Sequence, residues 1–204
     1  MKALIALLLL CTPLAAAEPP SYVVRVKVTF GRGGEVDNGS GSLIGPDRVL
    51  TAWHNLRNHR VGNLTIVLTD GTIVPATVLK KDRIRDLALL KLERPTLVPY
   101  VKLAGEEPER RETVTIHGYP FAGDYEQVTG TVGRRFSATS TGPPILFRVS
   151  DRAKAGMSGG PVINAAGEQC GVLFGSLAAG AYATGIEAVH KFLEGTEAPL
   201  GLLP

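Results

Sequence analysis

Residues 155–162 read AGMSGGPV, and two readings of those eight residues lead to two different molecules. As G-x-S-x-G, with Gly156, Ser158 and Gly160, the stretch is a nucleophile elbow: a serine on a sharp turn between a strand and a helix. As G-x-S-G-G-P it is a glycine-rich loop that offers the same serine without a helix behind it. Either way Ser158 is an attacking hydroxyl, and a hydroxyl near its free pKa needs a positioned base. The residues after Ser158 decide. An elbow serine opens a helix, whereas Gly159, Gly160 and Pro161 lead into the β-like run VIN and an Ala-Gly turn. Elbow enzymes also place an acid and then a histidine after the serine. Every aspartate here precedes Ser158, so a glutamate such as Glu168, inside that turn, would have to serve with His190. The elbow reading fails.

The rest of the chain reads as short strands punctuated by glycine. SYVVRVKVTF (21–30) alternates at Val24, Val26 and Val28, the period of a half-buried strand. GSGSLIG, RVLTAW and NLTIVLTDGTIVPATVLK come next, the last carrying the hairpin signal Asp70-Gly71, and then LALLKL (87–92). The polar, proline-containing stretch 104–112 (AGEEPERRE) is the best internal boundary. Beyond it come TVTIHGY, EQVTGTVGRRF, ILFRVS, GPVINAAGEQCGVLFGSL and AYATGIEAV. The 24 glycines and 14 prolines suit that many turns. Only EAVHKFLEG (187–195) has a helical period, with Val189, Phe192 and Leu193 on one side and Gly195 as a stop. Many short strands in an all-β chain make a sandwich or a barrel.

Residues 1–17, MKALIALLLLCTPLAAA, combine one lysine, an apolar run from Ala3 to Leu10 and Ala15-x-Ala17 before Glu18. That is the pattern of a secretory signal peptide cleaved after Ala17. Pro13 interrupts the run well short of the roughly 20 apolar residues a membrane span needs. Leu10 stands where a lipid-modified Cys11 would want a small neighbour. Residues 18–204 are expected to form one mature domain. A net charge of +3 is too weak a bias to suggest nucleic acid or an anionic membrane. Cys170 is the one cysteine outside the leader, so no internal disulfide is expected and stability must come from packing. Cys170 itself is expected to be a small buried apolar residue.

A nucleophilic serine on a β scaffold needs a histidine aimed by a rigid element and an acid to orient that histidine. Of His54, His59, His117 and His190, His54 in VLTAWHNL directly follows an apolar strand. The nearest downstream acids, Asp82 and Asp86, lie four residues apart in KKDRIRDLALLKL, so strand period places them on one face and cannot separate them. Asp86 abuts the apolar run, where a desolvated carboxylate needs a partner such as an imidazole N–H. The constellation is therefore His54, Asp86 and Ser158. Asp82, His59 and His190 are expected in solvent, and the arginines of GRRF (133–136) and Arg110-Arg111 as ordinary surface charge. His117 is expected to satisfy a hydrogen bond rather than hold a metal, because no second ligand sits at metal-like spacing.

Taken together these motifs resemble the trypsin-like serine peptidases, especially the disulfide-free bacterial HtrA (Deg) protease domains. GSGSLIGPDRVLTAWHNL is similar to the family's strands leading to T-A-x-H, DLALLKL to D-[IL]-A-L-L-[KR]-[LV], and AGMSGGPVIN to G-x-S-G-G-P-[VL]. VTIHGYPFAG resembles the turn that opens the family's second barrel. The resemblance implies two packed six-stranded antiparallel β-barrels, about 22–103 and about 112–187, with a short C-terminal helix at about 187–194 and a cleft between the barrels. It implies that Ser158 attacks, His54 carries the proton, Asp86 orients His54, and the N–H groups of Gly156 and Ser158 form an oxyanion hole. It also implies a substrate pocket with loop 151–155, including Arg152, at its base. The strand Leu173, Phe174, Gly175 and Ser176 would be the back wall, with Ala183 to Gly185 opposite. Such a lining favours a small to medium aliphatic residue before the scissile bond, with Arg152 as an alternative anchor for an acidic one.

The expected partner is a protein or peptide substrate. No metal, organic cofactor, nucleic acid or stable membrane insertion after signal cleavage is expected, and the protein is expected to be a monomer in the periplasm or outside the cell, without a PDZ domain. Departures from the family pattern carry information. Met157 stands where animal enzymes have the aspartate that pairs with a newly released N-terminus, and EPPSYVV lacks the I-V-G-G start, so activation by N-terminal insertion is not expected. Asn55 stands where secreted animal enzymes often have a disulfide cysteine. Trp53, in place of a small residue, is expected to pack in barrel one. The rival reading is a non-catalytic relative that binds peptides in the cleft by strand addition.

Overall fold

Alternation of apolar and polar residues turns directly into strands. In the computed structural model, residues 18–30, 35–56, 62–121, 123–137, 142 and 144–196 are described; the leader and His59 lie outside them. β1 (Val23–Phe30) buries Val24, Val26 and Val28 and pairs antiparallel with β2 (Glu35–Gly45). β3 (Arg48–Ala52) is next, then a 3-10 turn over Trp53–Leu56, β4 (Gly62–Val67), β5 (Ile73–Asp82) and β6 (Leu87–Leu92). These strands close in the order β1-β2-β3-β6-β5-β4, with β4 returning to β1. Asp70-Gly71 does form the β4–β5 hairpin. The Asp70 carboxylate accepts from the Thr72 N–H at 2.8 Å, and Gly71 takes a positive φ of 83°.

The second barrel is built from β7 (Thr113–Gly118), β8 (Glu126–Ser137), β9 (Pro144–Val149), β10 (Pro161–Ile163), β11 (Gln169–Leu177) and β12 (Gly180–Gly185). It closes in the order β10-β11-β12-β9-β8-β7. The expected all-β, two-barrel architecture is what the chain adopts. The linker between the barrels is not idle: the Val101 N–H donates to Leu43 O, and Leu103 bridges to Gln169.

Two apolar clusters result. One fills barrel one with residues such as Val26, Leu43, Leu56, Ile66 and Leu90. The other fills barrel two and continues into Ile44, Leu50, Leu87 and Leu89, the side chains that barrel one turns toward its neighbour. Each such side chain taken from water contributes about 1.5–3 kcal/mol, so the barrels share apolar surface as well as a chain. Cys170 lies in this second cluster, fully buried, and burial pushes its thiol pKa up to about 12.

α1 (Ile186–Leu193) begins one residue before its sequence signal and lays Val189, Phe192 and Leu193 on barrel two. Its first turn is capped from a distance. Glu107 in the inter-barrel linker accepts the Glu187 N–H at 3.1 Å and pairs with Arg135 at 2.9 Å. Arg135 is thus not ordinary surface charge. It neutralises a carboxylate whose pKa burial raises, and whose place at a helix N-terminus the peptide dipoles favour.

Candidate active site

The site lies where β3, the β5–β6 turn and the β7 and β10 ends of the second barrel meet. His54 sits in the 3-10 turn immediately after β3, as its sequence context requires. Its ring Nδ1 is 2.5 Å from Asp86 Oδ2, and its backbone N–H donates to Asp86 Oδ1 at 2.9 Å. One carboxylate therefore fixes both the ring and the main chain of His54. Asp86 is 6% exposed and takes φ 53°, a left-handed conformation that aspartate tolerates and most residues resist. Its neighbours hold it there: Asp86 O accepts from Trp53 N, and Thr184 of barrel two donates to Arg85 O at 2.8 Å.

Asp82 does not enter this cluster, and it is not a solvated bystander either. It accepts from the N–H groups of Ile84 and Arg85 and from the Arg85 guanidinium, closing the turn that delivers Asp86. Partial burial alone would raise its pKa. The Arg85 N–H and guanidinium and the Ile84 N–H outweigh that and hold the carboxyl below its usual range.

Ser158 approaches from barrel two on the loop before β10. Its Oγ meets Phe174 O at 3.5 Å, the outer limit of hydrogen bonding, and among the described residues no hydrogen bond joins it to His54. Catalytic hydrogen bonds are commonly long before substrate binds. The loop backbone is better defined. Ala155 O accepts from Phe121 N at 3.0 Å and Met157 O from Gly160 N at 2.9 Å. A trans peptide points its N–H away from its carbonyl. Pinning those two carbonyls therefore turns the N–H groups of Gly156 and Ser158 the other way, and among the described residues neither donates a hydrogen bond. Gly156 has φ 97°, and a Cβ there would lie 2.4 Å from Phe121 N, so only glycine fits.

Barrel one grips this loop through buried polar groups. Ser40 N and Asn55 Nδ2 both donate to Ser158 O at 2.8 Å, and Ser40 Oγ donates to Gly156 O at 2.9 Å. Thr51 Oγ1 donates to Ser40 O at 2.6 Å.

A family model described as a trypsin-like peptidase domain matches residues 39–172, the span that holds all three residues of the constellation. The chain belongs to the trypsin-like peptidase family. It is 31% identical over 175 residues to the serine protease Rv3671c of Mycobacterium tuberculosis, covering 80% of this chain and 42% of that protein. It is 32% identical over 139 residues to a probable periplasmic serine endoprotease, DegP-like, of Rhizobium meliloti, covering 66% and 27%. The chain thus spans less than half the length of these relatives. The crystal structure of the Rv3671c protease in its active form superposes with a TM-score of 0.74 at 26% identity, covering 88% of this chain and 82% of that one.

Within this peptidase frame the sequence-expected pocket residues separate. A cavity of about 630 Å³ opens beside Ser158, lined by Arg152, Ala153, Lys154, Ala155, Leu173, Gly175 and Ser176. Ala183 does not line it: paired with Leu173, it is fully buried behind the wall. Phe174 sits at a β11 irregularity and faces the other way. Its ring meets the His54 ring edge-on at 6.2 Å and lines a second, apolar cavity of about 350 Å³ with Phe136, Leu146, Leu177 and Tyr182. The Ala153 N–H donates to Ser176 Oγ at 2.9 Å, tying the two walls of the first cavity together. Lys154 is paired with Glu126 at 2.7 Å, whereas Arg152 has no hydrogen bond or ion pair among the described residues.

His117, His190 and Trp53 take structural places. His117 Nδ1 is 2.6 Å from Tyr125 Oη, and burial lowers its pKa to about 4. His190 is exposed but meets Ala104 O at 2.8 Å. Trp53 packs on barrel one beneath the ammonium of Lys81 at 4.5 Å. Among the described residues no group of three His, Cys, Asp or Glu side chains could hold a metal ion, and no helix is long and apolar enough to cross a membrane.

Proposed function

We propose that the protein is an exported serine endopeptidase that hydrolyses peptide bonds through His54, Asp86 and Ser158. The observation that carries this reading is the 2.5 Å contact between His54 Nδ1 and Asp86 Oδ2, made beside a serine whose loop leaves two N–H groups free. Ser158 Oγ attacks the scissile carbonyl as His54 takes its proton. The carbonyl oxygen becomes an anion between the Gly156 and Ser158 N–H groups, which are already turned outward and so cost little reorganisation. The amine leaves with the proton held by His54, and water then repeats the sequence to free the acid. Asp86 keeps the imidazole in the tautomer that can accept at Nε2.

For specificity, the alanine, glycine and serine lining, tied across by the Ala153–Ser176 bond, favours small to medium aliphatic residues before the scissile bond. Arg152, uncommitted beside Lys154 in the same lining, favours a second reading with an acidic residue there. A peptide library separates the two, and a profile dominated by lysine and arginine contradicts both. Export rests on the leader pattern, with a mature N-terminus at Glu18 readable by N-terminal sequencing.

The missing Ser158–His54 hydrogen bond is the one observation on the side of a peptide-binding module without chemistry. Labelling with a fluorophosphonate at neutral pH decides. The peptidase reading expects a covalent adduct lost in Ser158→Ala, whereas folded wild-type protein that never labels would overturn it.

A further inference from the structure

We infer that Ser40 and Asn55, which bond the main chain of the nucleophile loop rather than the Ser158 hydroxyl or the His54 ring, are positioning residues that hold the loop against His54 from the opposite barrel. The inference rests on the peptidase reading for its kinetic consequence, though its geometry stands alone. Ser40 is fully buried on β2 and every polar atom it has is spent at this seam. Its N–H reaches Ser158 O, its hydroxyl donates to Gly156 O while accepting Tyr119 N at 2.8 Å, and its carbonyl receives Thr51 Oγ1. Asn55 is 7% exposed, and its amide donates to Ser158 O at 2.8 Å and to Thr51 Oγ1 at 3.2 Å.

Covalent geometry extends the reach of these bonds. The carbonyls of Gly156 and Ser158 are fixed on either side of the peptide that carries the Ser158 N–H, so rotation of that peptide would break bonds on both flanks. Asn55 is also the residue after His54, whose own N–H is held by Asp86. A single side-chain amide therefore runs from the base segment to the nucleophile backbone. Acid, base and serine are located by one continuous path, Asp86 to His54 to Asn55 to Ser158, although the serine belongs to a different barrel. The packing around the path leaves no slack. A Cβ on Gly39 would lie 2.2 Å from Asn55 Nδ2, and one on Gly159 would lie 2.3 Å from Ser40 O and Thr51 Oγ1.

The test uses the whole protein with Ser40→Ala, Asn55→Ala and Asn55→Asp. The last keeps the shape of the side chain, removes its donors and sets a carboxylate against Ser158 O. Displacing a reacting group by about 1 Å costs on the order of 100-fold in rate. The fluorophosphonate labelling rate should therefore fall by about 10- to 100-fold, with kcat for a cleaved peptide falling in step and its KM moving less than about threefold. Amide hydrogen exchange read by mass spectrometry supplies an arm independent of chemistry: exchange over 154–161 should quicken while β4 and β5 stay unchanged. Should wild-type protein never label, the peptidase reading falls, and the exchange arm still decides whether the two residues hold the loop. The inference is overturned if folded Ser40→Ala and Asn55→Asp label at the wild-type rate, or if loop exchange does not change. It is equally overturned if exchange rises uniformly through both barrels, which marks a general stability role.

Discussion

Asp86 carries more of the site than its carboxylate. Its φ of 53° lies where asparagine is also at ease, so Asp86→Asn is expected to fold normally while losing the acceptor that sets the His54 tautomer. Turnover should fall about 10⁴-fold, the loss seen when the acid of such a triad becomes an amide. Asp82→Asn retains one acceptor oxygen for the turn and should change turnover by less than about threefold. Asp82→Ala removes all three bonds to Ile84 and Arg85 and should cost about 1–2 kcal/mol in a urea titration. A reversed ranking of the two aspartates in kcat would move the acid to Asp82. The sequence could separate them because burial leaves a local mark, the apolar run starting at Leu87. It left no comparable mark for Ser40, Asn55 or Thr184, whose partners on the opposite barrel lie about a hundred positions away and obey no period. The one hint was chemical: small polar residues set within apolar strands, as in GSGSLIG.

Strands and the turns between them were legible because period-two alternation and positive-φ glycines are local properties. Gly71 offers a clean measure of that turn chemistry. A Cβ there meets no atom within 4 Å, so Gly71→Ala adds no clash and only forces alanine into φ 83°. The expected loss is about 1 kcal/mol by urea titration, with activity unchanged. A loss of several kcal/mol would mean that the hairpin tip does more than turn the chain. What one element does for another was not legible. GRRF reads as charge on a surface strand, yet Arg135 supports the partly buried Glu107 that caps α1 from a linker about 80 residues upstream. Glu107→Ala should therefore strip the cap and leave Arg135 without its closest partner, costing about 1–3 kcal/mol. Thermal unfolding of Glu107→Ala, Arg135→Ala and the double variant would show whether the two losses fail to add, as a shared contact requires.

At the scale of the whole molecule, the two barrels meet through both shared apolar surface and a seam of buried polar groups, with Ser42 donating to Gln169 at 2.8 Å beside the Ser40 network. Fully satisfied polar seams fix one relative placement, which suits a site divided between barrels. Among the described residues Cys170 is a free, buried cysteine with its thiol pKa pushed up to about 12, so reductant should leave unfolding and activity unchanged. Acid is the sharper probe of this architecture. His117, on β7 beside the nucleophile loop, is 7% exposed, bonded to Tyr125, and held neutral by burial with a pKa of about 4. Its pKa in the unfolded chain is about 6.5, so the unfolded state takes up the proton first as pH falls. A folded pKa depressed in this way contributes stability that is complete above about pH 6.5 and is lost progressively down to about pH 4. The full contribution is on the order of 3–4 kcal/mol, because each tenfold weakening of proton binding corresponds to about 1.4 kcal/mol. Urea titrations of wild type at pH 7.5 and 4.5 should differ by most of that amount, on top of whatever the carboxylates add. His117→Gln keeps a polar group near Tyr125 but cannot titrate, so its loss between the same two pH values should be smaller by about 2–3 kcal/mol. Equal losses in the two proteins would show that His117 does not couple the fold to acid, and would shift that role to the carboxylates.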